Sequence, residues 1–262
     1  MADAVMDIDL ARFLIAYASI LVLILFIRVR ISGIAKDMLK AVVRMSLQLA
    51  VAALLLEALF AETRWYYIVA ILAAIYIIAT KMIHDRLHTK TAYTYKNIFV
   101  SLAIGSSVIM FFYLIVVVGE DPWYDPRYVF PIGTMIVGNS MNSCAIAVER
   151  FLSTVSKEKM KIQTLLSYGA TPIEATSSLL NEAFKASFLP VVLTMNAMGI
   201  VVLPGMMSGQ ILAGTSPLVA IKYQIAIMFA IVTSEVLVSY IVLFMTRKEL
   251  FNEMDQLQFK FK

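Results

Sequence analysis

The chain has 262 residues, of which 61% are hydrophobic and only 15% charged. An average globular protein is about 45–50% apolar and about 25% charged, so a soluble domain of this length could not bury what this one carries. A mean hydropathy of +0.83 points to a chain dissolved mostly in lipid. One cysteine, Cys144, excludes a disulfide framework or a Cys-based cluster within the chain. With a net charge of only +4, the placement of the cations says more than their sum, and no nucleic-acid partner is expected.

A hydrocarbon core about 30 Å thick takes roughly 20 apolar residues of helix to cross. Seven runs bounded by charge fit: about 9–28, 42–61, 65–83, 98–118, 128–148, 187–204 and 219–245. None alternates strictly, so the expected fold is all-α, a polytopic membrane protein forming one transmembrane domain over 1–262. Asp3, Asp7 and Asp9 precede the first run and Arg28 and Arg30 follow it, the reverse of a secretory signal's charge order. Placing the N-terminus outside puts eighteen of the twenty-two Lys and Arg residues, Lys260 and Lys262 among them, on the inner side. Only Arg12, Arg64, Arg127 and Lys222 are left at outer ends, which predicts N-out, C-in.

Glu57 lies toward the outer end of the second run, within snorkelling reach of Arg64. The third run ends in HDRLH (His84–His88), whose histidines at i and i+4 echo a zinc-protease motif. Asp85 stands where Glu is usual and no third ligand is evident, so a polar helix end is expected ahead of metal binding or an intramembrane metalloenzyme. GEDPWYDPRY (Gly119–Tyr128) reads as an outer loop with Trp123 and Tyr124 at the interface.

The fifth run carries a polar stripe. Met135, Asn139, Asn142, Ile146 and Glu149 recur at 4, 3, 4, 3 spacing, which aligns them on one helix face. Amides facing lipid are costly, so this face meets protein or a water-filled path. It reads either as helix–helix glue at a dimer seam, with Gly133, Gly138 and Ser140 permitting close approach, or as a weak, exchangeable cation path of Asn oxygens and Met sulfurs.

Residues 149–186 form the one large cytoplasmic segment. Its first part reads as a helix continuing out of the membrane and stopped at Tyr168-Gly169. Thr171, Pro172 and Glu174 then make a capping box that opens an amphipathic helix, so the segment is a helix pair. It serves either as a connector on the headgroups or as a docking element for a cytosolic partner. The sixth run is expected to break at Pro204-Gly205, with Met206, Met207 and Gly209 in an exit vestibule or hinge. Met195, Met198, Met206 and Met207 read first as packing. Glu235 falls near the middle of the last run, where a carboxylate disfavours insertion by about 2.5–3.5 kcal/mol. It is therefore a functional or paired group, with Thr233, Ser234 and Ser239 as hydrogen-bonding candidates. Were a metal to pass both carboxylates, Glu235 would be the midplane ligand and Glu57 the exit ligand.

Three stretches together resemble the permease subunit of the iron-export ABC transporter family, which includes the membrane half of a plant aluminium-tolerance transporter. They are PIGTMIVGNSMN (Pro131–Asn142), LSYGATP (Leu166–Pro172) and GIVVLPGMMSGQILAG leading into SPLVAIKYQI (Gly199–Ile225). Arg44 and Gln48 in VVRMSLQL, and Tyr223 and Gln224, match the same pattern. The resemblance implies a homodimeric permease in the cytoplasmic membrane, joined by cytosolic ABC ATPase subunits that hold ATP and Mg, exporting a divalent metal such as iron. It implies that Gly169, Ala170, Thr171, Pro172 and Glu174 couple to the ATPase. The nearest approach to a phosphate loop is GQILAGTS (Gly209–Ser216), with Thr215 where the lysine belongs, so this chain is not expected to be an enzyme or to bind a cofactor. The alternative is a proton-coupled secondary metal transporter using Glu57 and Glu235; no internal repeat supports it.

Overall fold

The computed structural model describes residues 8–30, 34–61 and 64–258. Asp3, Asp7, Lys260 and Lys262 lie outside the described residues, as does the side chain of Arg30. The described chain is all helical: α1 (Leu10–Arg30), α2 (Ile34–Ala61), α3 (Trp65–Arg86), α4 (Thr94–Phe112) with a π-helical continuation (Tyr113–Val118), α5 (Pro126–Lys157), α6 (Lys159–Ser167), α7 (Pro172–Ala197), α8 (Gly205–Leu212) and α9 (Pro217–Glu249).

Among the described residues five stretches are long and apolar enough to cross a membrane: Leu10–Arg28, Ile34–Ala61, Trp65–Arg86, Thr94–Val118 and Pro217–Glu249. The protein is a multi-pass membrane protein. The remaining long helices, α5 and α7, have 32 and 26 residues. They are diluted by Asn, Ser, Thr and Glu on the faces they turn toward one another and toward α9.

The core is the junction of α4, α5 and α9, with α3 and α7 packed on its flanks. Ile98 and Leu102 of α4, Ile136, Cys144 and Phe151 of α5, and Val238, Val242 and Leu243 of α9 are fully buried there. At its centre the hydroxyls of Ser140 and Ser234 share a 2.7 Å hydrogen bond, and Ser234 Oγ lies 3.4 Å from Ser106 Oγ. The helices come this close because Gly105 faces α9: a Cβ there would stand 2.6 Å from Val238 Cγ2, 3.2 Å from its backbone nitrogen and 3.3 Å from its Cα. Backbone cannot rotate away. Gly105→Ala is expected to destabilise the bundle by about 1–3 kcal/mol through overpacking, read as a lowered thermal midpoint in detergent. Gly138→Ala, in the interior of α5 with nothing within 4 Å of its Cβ position, is the control that should keep or raise the midpoint.

Several expected boundaries move. The helix leaving the fifth span stops at Lys157, and α6 is a separate nine-residue helix begun after Glu158. No break separates the cytoplasmic helix from the sixth span at residue 187, because α7 runs unbroken from its cap at Thr171 to Ala197. Pro190 inside it removes one N–H donor without ending the helix. The helix expected to reach Pro204 ends seven residues earlier, at Ala197, in a turn closed by Val201 and Val202 amides bonding the Ala197 carbonyl. GMMSG, expected to break the helix, opens α8 with Pro204 as N-cap: Gly205 stands at the helix start, where a glycine costs less than in the middle, and only Gly209 is interior. The glue reading of Gly133 and Ser140 also changes: Gly133 faces Met110 and Leu72, and Ser140 bonds Ser234, so both serve packing within the chain.

Candidate substrate cavity and docking face

Two regions gather the polar residues that the apolar bundle does not need. The first is a cavity of about 330 Å³ between α5, α7 and α9. Met135, Asn139, Asn142, Ser143 and Ile146 of α5 line one side, and Pro190, Val191 and Thr194 of α7 line the other with Met198 and Pro204 beyond them. Gln224, Met228, Ile231 and Glu235 of α9 form its buried floor. Both α5 and α9 present these residues at 4, 3, 4 spacing, so each contributes a single helix face. Asn139 turns its amide nitrogen to the Met135 carbonyl at 2.8 Å, which frees its side-chain oxygen as an acceptor.

Glu235 is 3% exposed, and its Oε2 has no hydrogen-bond partner. The hydroxyls expected to share its bonds are engaged or idle elsewhere: Thr233 donates to the Phe229 carbonyl, Ser234 pairs with Ser140, and Ser239 Oγ is itself without a partner. Gln224, 5% exposed, is in the same state at Oε1. Leaving a buried polar atom unpaired costs about 1–3 kcal/mol, more for a charged group. Two such atoms on one cavity floor are free to take bonds from water or from a ligand within it.

Of the other expected path residues, Glu149 is one turn beyond the cavity and accepts the His88 backbone N–H at 3.1 Å. Glu57 is exposed on α2 and does not line the cavity. Arg44 and Gln48 are likewise exposed on α2, while Tyr223 is half-buried next to Gln224. His84 and His88 do not share a helix turn, because α3 ends at Arg86. His84 instead sits edge-on to Tyr95 with Asp85 at 3.7 Å. Among the described residues no three His, Cys, Asp or Glu side chains gather in a metal-holding group. Met206, Met207 and Gly209 lie on α8, of which only the capping Pro204 reaches the cavity.

The second region is cytoplasmic in the predicted topology. Gly169 ends α6 at φ +87°, a left-handed conformation that favours glycine. Thr171 then caps α7: its hydroxyl accepts from Glu174 N at 3.3 Å, and Glu174 Oε2 accepts from Thr171 N and Oγ1 at 2.8 Å each. The bond from the Thr171 backbone N–H, and after it the one from the Thr171 hydroxyl, hold the Glu174 carboxyl below its ordinary value of 4.5, so the box is charged and closed at neutral pH. Arg150 and Glu182 form an ion pair that ties α5 to α7 at this end.

Sequence reasoning missed the element beside this turn. After α9 the chain folds back as a clip, with Asn252 Oδ1 accepting from Met254 N and Gln256 N and with Gln258 N bonded to the Leu250 carbonyl at 2.8 Å. Its signal was an Asx turn at Asn252, easily read as a polar tail. Clefts of about 780 and 560 Å³ flank the contact between clip and turn; Thr171 and Asp255 line both. Tyr168, 86% exposed, and Met254, 78% exposed, stand at this face unpaired with any core.

The family model described as "Uncharacterised protein family (UPF0014)" matches residues 10–251. The chain belongs to the UPF0014 family. It is 34% identical over 214 residues to a UPF0014 membrane protein of Synechocystis, covering 82% of this chain and 83% of the relative. A "Probable iron export permease protein FetB" of Escherichia coli is 33% identical over 61% of this chain and 60% of its own. The "UPF0014 membrane protein STAR2" of Oryza sativa is 31% identical over 75% of this chain and 67% of its own. No solved structure matches the chain. The UPF0014 chain is, like these relatives by name, a membrane protein.

Proposed function

We propose that this UPF0014 chain is the membrane subunit of an ATP-driven exporter that moves a divalent metal ion, iron being the first candidate, out across the cytoplasmic membrane. The observation that carries this reading is the cavity floored by Glu235, whose unpaired carboxylate oxygen lies within the bundle and fits a cation in transit. The E. coli relative's printed name supports iron and outward direction. In this reading α5 and α7 complete seven spans with the N-terminus outside, and their polar faces are shielded from lipid across the cavity. In this reading each chain is one transmembrane permease domain over residues 1–262 and pairs with a second copy, and the Gly169–Glu174 turn receives a cytosolic ATPase that supplies the nucleotide site. Glu57 and Glu149 stand outside the cavity and flank the path at most.

The test is a panel of divalent metals scored for stimulated ATP hydrolysis in the reconstituted two-component complex. Stimulation by iron and its near neighbours, abolished when the ATPase is omitted, is expected. Efflux that persists in vesicles without any ATPase would move the assignment to the proton-coupled alternative, for which a buried carboxylate is equally suited.

A further inference from the structure

The cavity floor holds two unpaired oxygens, Glu235 Oε2 and Gln224 Oε1, both on buried side chains. They are eleven residues apart on one unbroken helix, which at 1.5 Å per residue separates them by about 16 Å. Side chains on a helix tilt the same way, toward its N-terminus, so the tilt does not bring them together. Metal–oxygen bonds are about 2.0–2.6 Å, so no single ion reaches both.

The residues around each are chemically different. Following α5 and α9 in the same direction and α7 in the opposite one, Asn142 and Ser143 share the Glu235 end, with Pro190 and Val191. That is an all-oxygen donor set with one formal charge. Met135 and Met198 share the Gln224 end, with Pro204, and Met228 lies one turn along the floor. That donor set has an amide oxygen, thioether sulfurs and no charge. Oxygen ligands also suit hard cations such as magnesium and calcium, whereas thioethers favour soft and borderline transition metals over them.

We infer that the cavity holds two cation stations in series, and that Gln224, with the thioethers of Met135 and Met198, forms the outer one, a neutral site for a soft or borderline metal. This rests on the cation-cargo reading above. A charged inner station captures, and an uncharged outer station selects and releases. The sequence of donors accounts for an otherwise unexplained buried amide oxygen at Gln224.

Equilibrium dialysis of the full chain in lipid nanodiscs against cadmium(II), with X-ray absorption at the cadmium edge, tests it. The intact chain should bind two ions and show sulfur backscattering. Glu235→Gln should bind one and keep the sulfur signal; Gln224→Leu should bind one and lose it. Should Gln224→Leu fail to fold, Gln224→Glu serves: a carboxylate added to a true ligand position should tighten the outer ion by about tenfold or more. One ion in the intact chain, lost with Glu235→Gln and indifferent to either Gln224 variant, overturns the outer station and leaves the cargo reading standing. No bound ion at all removes the cargo reading itself, and the stations with it.

Discussion

Glu235→Gln is expected to give a chain that folds at least as well as the wild type and transports at least about tenfold more slowly, a loss of about 1.4 kcal/mol in transition-state terms. The two halves of that expectation come from one observation. Glu235 is 3% exposed with one carboxylate oxygen unpaired, so the native fold gains no full set of bonds from its charge. A centrally placed carboxylate disfavours membrane insertion by about 2.5–3.5 kcal/mol, and the amide isostere removes the charge while keeping the shape and polarity. For a chain of this size each kcal/mol is worth roughly 2–4 °C, so the thermal midpoint in detergent should rise. Function, by contrast, loses its only charged donor on the cavity floor. Ser234→Ala, one residue away, is the control: it removes the 2.7 Å bond to Ser140, costing about 1 kcal/mol, and should leave transport intact. A lowered melting point with unaltered cargo-stimulated ATP hydrolysis in Glu235→Gln would show the carboxylate to be structural.

How much of this was legible in advance follows the physics of each signal. The stripe on α5 was readable because helical periodicity is local: Met135, Asn139, Asn142 and Ile146 do line one cavity. Glu149 obeyed the same spacing and still fell outside, since the far walls belong to α7 and α9, whose reach no local pattern states. The sixth span was drawn too long because Ile200, Val201, Val202 and Leu203 are apolar, yet they form an exposed turn. Hydropathy reports what lipid tolerates, and it does not report where a backbone stops being helical. Gln224 was visible only as a residue matching a family pattern; its role depends on an unpaired oxygen, which is a property of three-dimensional bonding. The capping box at Thr171 was read correctly because all its partners lie within four residues.

That box supports the second large expected effect. If the proposed ATPase docks on this turn, the double variant Gly169→Ala/Thr171→Ala should weaken its capture by about 30-fold while leaving cation binding in the proposed cavity site unchanged. Alanine at Gly169 meets nothing within 4 Å, so its penalty is the left-handed backbone alone, about 1 kcal/mol. Losing the Thr171 cap costs about 1 kcal/mol more and frees Glu174, and about 2 kcal/mol together corresponds to roughly 30-fold. The reason a turn at the surface should govern transport is α7 itself. From Thr171 to Pro190 the helix is unbroken over nineteen residues, about 28 Å, so the element that begins at the docking face ends in the cavity wall. A rigid helix displaced at one end must move Pro190, Val191 and Thr194 at the other. Acid offers an independent check. With Glu174 held below 4.5 in the fold, its contribution is complete above that pH and disappears as the pH falls through the lowered value. Hydrogen exchange at the Thr171 and Glu174 amides should therefore accelerate, relative to its intrinsic rate, only in that acidic window. Undiminished ATPase capture by the double variant, at matched expression, would detach the turn from coupling and leave α7 as a wall and nothing more.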